Sequence, residues 1–247
     1  HFLPGMRAAA RAAPSIGNLM QSGLLVCLLA LLLVGVYTPP VTFFGVHPVT
    51  PLLFAGYLYG LAKVRSAQQH PMWSPTQTKE TFADEPPASS SQESLSALWL
   101  RFVLLAAVLA VTGLVLERAA TVIGDETGLS ATAVGALLTA VVTSLPELVT
   151  SIAAVRRGAL TLAVSGIIGG NAFDTLFVAA SDIAYRDGSI YHVVSNQVLL
   201  WIAITIVMTG VMMLGLIRRE EQNWGGIGFE SAIILMLYAL GGVLVMI

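Results

Sequence analysis

Seven long apolar stretches constrain this fold more than any other feature of the sequence. The hydrocarbon core of a bilayer is about 30 Å thick and takes about 20 apolar residues per helix. The stretches run from Met20 to Thr38, Val46 to Leu61, Leu98 to Leu116, Leu129 to Val155, Ala159 to Ile183, Val194 to Ile217 and Ile227 to Ile247. Only 11% of the 247 residues are charged, against about 25% in soluble domains. We therefore predict an all-α polytopic membrane protein with about seven transmembrane helices in contact with membrane lipid.

The composition also excludes several functional classes. The chain has 12 Lys and Arg residues without a basic cluster, so it offers no groove for nucleic-acid phosphates. Cys27 is its only cysteine, which leaves neither a disulfide framework nor a cysteine-based zinc site. Neither His-Glu-x-x-His nor Gly-x-Ser-x-Gly occurs, and these are motifs of metalloproteases and serine hydrolases. We expect a protein that is not an enzyme and binds no cofactor tightly.

A polar segment at 66–97 separates two membrane blocks. It contains Pro86-Pro87, a serine run and four acidic residues against Lys79, a composition that cannot bury enough apolar surface to fold. The predicted organisation is an N-terminal part with two helices at 1–65, a flexible linker at 66–97 and a five-helix part at 98–247.

The distribution of basic residues predicts the orientation in the membrane. With seven crossings, ten of the 12 basic residues fall on the side of the N-terminus, and only Arg118 and Arg186 fall on the other side. Lys and Arg collect in cytoplasmic loops. We therefore expect a cytoplasmic N-terminus and linker, an external C-terminus, and a location in the cell (inner) membrane.

Two carboxyl groups lie inside apolar stretches, where each costs about 2.5 to 3.5 kcal/mol or more. The first is Glu147, which follows Pro146. Proline cannot donate the helical hydrogen bond, so it bends the helix and frees the carbonyl four residues earlier. At about 100° per residue, Glu147 shares one helix face with three threonines. These are Thr139, Thr143 and Thr150.

The second carboxyl group is Asp174, in the motif Gly-Gly-Asn-Ala-Phe-Asp that begins at Gly169. Asn171 precedes it by three residues and lies on a neighbouring part of the same face. The glycine pair permits either close helix approach or local unwinding. All candidate ligands are oxygen atoms, which Ca²⁺ and other hard cations prefer. The pattern predicts a Na⁺ or Ca²⁺ site.

At these residues the sequence resembles the cation/Ca²⁺ exchanger superfamily, which includes the Na⁺/Ca²⁺ exchangers. The match covers 129–185 and contains Thr-Ser-Leu-Pro-Glu-Leu and Gly-Ile-Ile-Gly-Gly-Asn-Ala-Phe-Asp, similar to that family's α-repeat. The resemblance implies metal ligands at Thr143, Ser144, Glu147, Asn171 and Asp174, with Glu147 as the principal carboxylate. Val142 and Gly170 depart from the family pattern, which usually has Gly and Ser there.

The same resemblance implies ten helices in two inverted halves, each with one α-repeat. Seven helices with a linker after the second correspond to the last seven of that ten-helix fold. A second Thr-Ser-x-Pro-Glu block does not occur between His1 and Ala97. We therefore expect slightly more than half of a transporter, with its partner α-repeat in the same gene product or in a partner chain.

Two further acidic residues near helix ends are interpreted as ordinary surface groups. Asp182 lies close to the predicted aqueous boundary with Arg186 four residues later, which is typical of a solvated ion pair. Glu230 lies one turn into the last apolar stretch, near the positive end of that helix.

The functional prediction is a secondary cation antiporter that exports Ca²⁺ in exchange for Na⁺ or H⁺ by alternating access. A passive cation channel would use similar oxygen ligands, and a half that transports nothing without its partner chain is the other alternative. Dependence of Ca²⁺ movement on an opposing gradient distinguishes the antiporter from the channel.

Overall fold

The structure is a computed structural model that describes residues 15–71, 94–129, 131–157, 159–218 and 228–246. Within these ranges the regular structure is helical, as predicted, apart from a β-bridge between Phe43 and Val46. The α-helices are α1 (Ile16–Tyr37), α2 (Val49–Gln69), α3 (Leu95–Thr127), α4 (Ala131–Val134), α5 (Ala140–Thr143), α6 (Leu145–Arg156), α7 (Leu160–Ala184), α8 (Asn196–Arg218) and α9 (Phe229–Met246). A π-helical turn (Gly135–Thr139) joins α4 to α5, and a 3₁₀-helix (Ile190–His192) lies between α7 and α8.

Four of these helices are long and apolar enough to cross a membrane, and α9 is a shorter apolar helix. The four are α1, α3, α7 and α8. Each of the seven predicted stretches contains helix, although the seven-crossing count itself stays a prediction. Residues 72–93 of the predicted linker lie outside the described residues, so its flexibility and the three-part organisation also stay predictions.

Local sequence signals explain where several helices begin and end. The hydroxyl of Ser15 accepts a hydrogen bond from Gly17 N at 3.1 Å and starts α1. The hydroxyl of Ser94 accepts from Ala97 N at 3.3 Å and starts α3 in the same way. Such caps satisfy the free N–H groups of the first turn. Gly128 ends α3 in the left-handed conformation, with φ of 70°.

The stretch that contains the first motif is interrupted, as Pro146 predicts. A π-helical turn precedes α5, and Ser144 leaves the helix with φ of −85° and ψ of −2° before α6 begins at Leu145. A missing N–H and a ring clash at proline disturb the preceding turn. The interruption therefore places Glu147 in the first turn of a new helix.

The chain divides into two compact units, and the core described here belongs to the first. This unit combines the described parts of His1–Asp84 and Glu147–Gly241. Helix α1 packs against α2, α7 and α8, and α2 packs against α7. Leucines spaced by three and four residues supply the α1 side of the core, which includes Leu25, Leu28 and Leu32. The second unit comprises the described parts of Glu85–Pro146 and Gly242–Ile247.

Candidate functional site

Helix α7 presents one buried face and, beside it, a face that carries both predicted ligands of the second motif. Buried positions recur every three to five residues, at Ala163, Ile168, Ala172, Thr175, Ala179 and Asp182. Asn171 and Asp174 each precede a buried residue and are themselves exposed. One residue corresponds to about 100° of rotation. The two ligands therefore lie one turn apart on a face next to the one that packs.

Glu147 lies in the same compact unit as Asp174, and its charge interacts with that of the Asp174 carboxyl group. Its position in the first turn of α6 suits a negative charge, because the N-terminal end of a helix is positive. The Thr150 hydroxyl donates to the Glu147 carbonyl at 3.0 Å. Two carboxylates close enough to interact repel each other, and a cation between them relieves that repulsion.

Thr143 and Ser144 belong to the second unit, whose boundary falls between Pro146 and Glu147. The Thr143 hydroxyl donates its proton within the helix, to Thr139 O at 2.9 Å and Ala140 O at 3.2 Å. Its oxygen lone pairs remain available to a cation. Both residues are exposed.

The glycine pair of the second motif lies in a continuous helix, so α7 is not locally unwound there. A Cβ atom placed on Gly169 would be 4.0 Å from Gln21 Nε2, an ordinary contact distance. A Cβ atom on Gly170 would meet nothing within 4 Å. The position where the family usually has Ser is therefore open beside Asn171.

Among the described residues, no group of three or more His, Cys, Asp or Glu side chains is arranged to hold a metal ion. The charge at the predicted site comes from two carboxyl groups, with hydroxyl and amide oxygens beside them. Ca²⁺ takes six to eight oxygen ligands. The predicted ligands of this chain are five residues on two motifs, which would all have to converge on one ion to approach that number.

A cavity of about 490 Å³ lies in the second unit, and sequence reasoning missed it. Its walls come from α3 and from the segment between Gly128 and Thr143, and they include Glu117 and Asp125. The apolar stretch on which α3 was predicted ends at Leu116, whereas the helix continues to Thr127. The eight-residue spacing of the two acidic residues, just over two helical turns, was the signal available in the sequence.

The interpretation of Asp182 as a solvated partner of Arg186 is wrong. Asp182 is fully buried, at 0% exposure. Its Oδ2 accepts hydrogen bonds from His47 N at 2.8 Å and Thr50 Oγ1 at 2.7 Å, and its Oδ1 accepts from Ile190 N at 3.1 Å. These donors come from elements distant in sequence and replace the water that the carboxylate loses.

Tyr191 extends this buried cluster. The single proton of the Thr50 hydroxyl goes to Asp182, so the Tyr191 hydroxyl is the donor in its 2.9 Å contact with Thr50. Burial, which is the largest cause, and the nearby negative charge of Asp182 raise the pKa of Tyr191 to about 12. Tyr191 therefore stays protonated well above neutral pH.

Glu230 lies in the first turn of α9, as predicted, and is half-buried. Its side chain occupies the space beside Gly215 of α8, because a Cβ atom on Gly215 would be 2.7 Å from Glu230 Cγ. It therefore packs against a neighbouring helix and does not join the two site carboxylates.

Carboxyl groups inside apolar helices, with hydroxyl and amide oxygens beside them in sequence, are typical of integral membrane proteins that bind or move ions. Residues 97–246 match the family model described as sodium/calcium exchanger protein. The chain belongs to this family, whose members are transporters and not enzymes. The resemblance found in the sequence is thereby confirmed, and all five predicted ligands fall inside the matched region.

Among curated proteins, the chain is similar to the inner membrane protein YrbG of Escherichia coli (strain K12). The two are 30% identical over 200 residues, which cover 78% of this chain and 59% of YrbG. The chain thus matches about three fifths of the length of that relative. No solved structure is significantly similar to the chain.

Proposed function

We propose that the protein is a secondary active antiporter that moves Ca²⁺ out of the cell in exchange for Na⁺ or H⁺. The observation that carries the proposal is the presence of two carboxyl groups, Glu147 and Asp174, in one compact unit and within a region that belongs to the sodium/calcium exchanger family. Two carboxylates together match the charge of one divalent cation. Na⁺ ions or protons can neutralise the same groups, and this mutual exclusion couples the two fluxes.

The five oxygen donors have different roles in this proposal. Glu147 is the principal ligand, because it lies in the first turn of α6, where the positive end of the helix favours a negative charge. Asp174 is the second carboxyl group, and Asn171 one turn earlier supplies an amide oxygen. Thr143 and Ser144, which flank the helix interruption, supply hydroxyl or backbone oxygens.

The proposed topology has seven crossings that correspond to the last seven helices of a ten-helix exchanger. The distribution of basic residues supports a cytoplasmic N-terminus and linker and an external C-terminus. The similarity to an inner membrane protein supports the cell (inner) membrane as the location. A second α-repeat would complete the oxygen shell, since two helices do not readily converge six to eight oxygens on one ion without water.

The test uses inverted membrane vesicles from cells that carry the complete transporter, in which Ca²⁺ uptake is measured with and without an opposing Na⁺ or H⁺ gradient. Glu147→Gln keeps the size of the side chain and removes its charge, so uptake should fall to background. Asp174→Asn should weaken uptake and shift the preference toward monovalent cations, because an amide oxygen balances less charge. Glu230→Gln is the matched control and should leave uptake unchanged.

Two results contradict the proposal. Near-normal Ca²⁺ affinity and flux in a correctly folded Glu147→Gln variant would show that this carboxyl group is structural. If Ca²⁺ uptake by the complete, unmodified transporter does not depend on an opposing Na⁺ or H⁺ gradient, the protein is a passive cation channel instead.

A further inference from the structure

Contacts of α7 with its neighbours determine where Asn171 and Asp174 point, and most of the buried apolar residues on its packed face are small. Three of the buried residues on its packed face are alanines, at positions 163, 172 and 179. The buried hydroxyl of Thr175 donates to Ala172 O in its own helix, at 2.7 Å. A short side chain interlocks less with a facing helix than a long one, so this face resists rotation of the helix about its axis less than a face of large residues would. Membrane helices also lack the hydrophobic driving force that acts between helices in water.

Polar contacts to other elements occur near both ends of α7, and they differ in quality. Near the start, Asn18 Nδ2 donates to the carbonyl of Thr161 at 3.4 Å, which is a long hydrogen bond. Near the end, the carboxylate of Asp182 accepts three bonds of 2.7 to 3.1 Å, two from the region around the start of α2 and one from the 3₁₀-helix. Charged acceptors make the stronger and more directional bonds.

Asp182 also supplies negative charge at the beginnings of α2 and of the 3₁₀-helix; at the start of α2, His47 Nδ1 additionally accepts a long hydrogen bond from Val49 N at 3.3 Å. Neither Pro48 before α2 nor Ser189 before the 3₁₀-helix makes a side-chain capping bond. The N-terminal end of a helix is positive and leaves N–H groups unpaired. Rotation of α7 would withdraw the carboxylate from both helix ends and leave several buried donors without an acceptor.

We infer that Asp182 is a positioning residue: its hydrogen bonds to His47, Thr50 and Ile190 fix the rotation of α7 and so aim Asn171 and Asp174 at the transported cation. The inference rests on the proposed function for the identity of the site. The two ligands precede Asp182 by eleven and eight residues on one continuous helix. A rotation of about 100° would exchange the ligand face for the buried face.

The first measurement is the Ca²⁺ concentration that gives half-maximal uptake, in vesicles with the complete transporter and with the amount of folded protein determined. Asp182→Asn keeps the shape but places an amide donor against other donors. It should raise this concentration at least fivefold. Thr50→Val removes one of the three donors and should cause a smaller rise in the same direction. Asp187→Asn, which neutralises an exposed acid in the following loop, should cause none.

The second measurement reports the rotation of α7 without reference to transport. Single cysteines replace exposed Ser181 or buried Ala179 after Cys27→Ser, and their rates of reaction with a small thiol reagent are compared. Ser181→Cys should react much faster than Ala179→Cys, and Asp182→Asn should bring the two rates closer together. If Asp182→Asn does not accumulate as folded protein, the same comparison of labelling rates is made with Thr50→Val.

Unchanged half-maximal concentration or an unchanged ratio of labelling rates in the folded variants would overturn the inference. If the complete transporter without substitutions shows no gradient-dependent Ca²⁺ uptake, the proposed function fails. The labelling ratio then still decides whether Asp182 fixes the rotation of α7.

Discussion

The substitution Tyr191→Phe removes one hydroxyl group from the buried cluster around Asp182. It should change how the free energy of unfolding depends on pH. The Tyr191 side chain is 1% exposed, and its pKa is raised from 10.0 to about 12 in the folded protein. A raised pKa means that the folded state keeps the proton longer than the unfolded state does. The stability that this group contributes is therefore complete below pH 10 and is lost as the pH rises from 10 to about 12.

The magnitude follows from the size of the shift. Two pKa units correspond to about 2.7 kcal/mol at 1.36 kcal/mol per unit. Below pH 10 the phenylalanine variant lacks only the hydrogen bond to Thr50, which is worth about 1 kcal/mol. It should therefore be less stable than the unmodified protein by about that amount. Between pH 10 and 11 the difference should pass through zero, and near pH 12 the variant should be the more stable by about 1.5 kcal/mol.

The assay is equilibrium or thermal unfolding of both proteins in the same detergent, at half-unit steps from pH 8 to 12. Titration of the other tyrosines and of lysine is common to both proteins and cancels in the difference. A difference that stays constant across this range, or that grows in favour of the unmodified protein, would refute the assignment of a buried, protonated Tyr191.

Three further predictions concern the core, the topology and the completeness of the site. Leu53→Ala, at a fully buried position of α2, should cost about 2 to 5 kcal/mol in unfolding experiments, whereas Leu52→Ala at an exposed position should cost less than about 1 kcal/mol; equal costs would contradict the packing described. Cysteines at Ser90 and Asp187 should react with an impermeant thiol reagent from opposite sides of sealed cells, and labelling from one side would disprove the orientation. This polypeptide alone in liposomes should not perform gradient-dependent Ca²⁺ uptake, because two motif helices do not readily converge six to eight oxygens on one ion without water; robust uptake would contradict this, unless the chain forms an antiparallel homodimer.

The helices could be predicted because apolar composition over about 20 residues leaves the backbone no alternative in lipid. The interruption before Glu147 could be predicted as well, since the effect of Pro146 depends only on the residues of the preceding turn. Both are local consequences of neighbouring residues. The proposed ligands Glu147, Asn171 and Asp174 come from motifs that are equally short and continuous, and their role as ligands stays a prediction.

The environment of Asp182 could not be predicted from its neighbours. Its donors Thr50 and His47 lie 132 and 135 residues earlier in the chain, and periodicity within one helix carries no information on such partners. Arg186 lies four residues after Asp182, which is the spacing of a helical ion pair, and this local pattern led to the wrong prediction. The acidic wall of the cavity was missed for a related reason, since hydropathy indicates where the apolar part of α3 stops and not where the helix itself ends.

The length of α3 has a consequence for the lipid around it. Its 33 residues extend over about 50 Å, of which the apolar part from Leu98 to Leu116 accounts for about 28 Å. That part alone matches the hydrocarbon thickness, so the charged end that begins at Glu117 reaches the headgroup layer. A bilayer thicker by one helical turn, about 5.4 Å, would draw Glu117 toward the acyl chains unless the lipid thinned locally or the helix became more upright. Acyl-chain length should therefore modulate this protein through α3, in the manner of a hydrophobic mismatch.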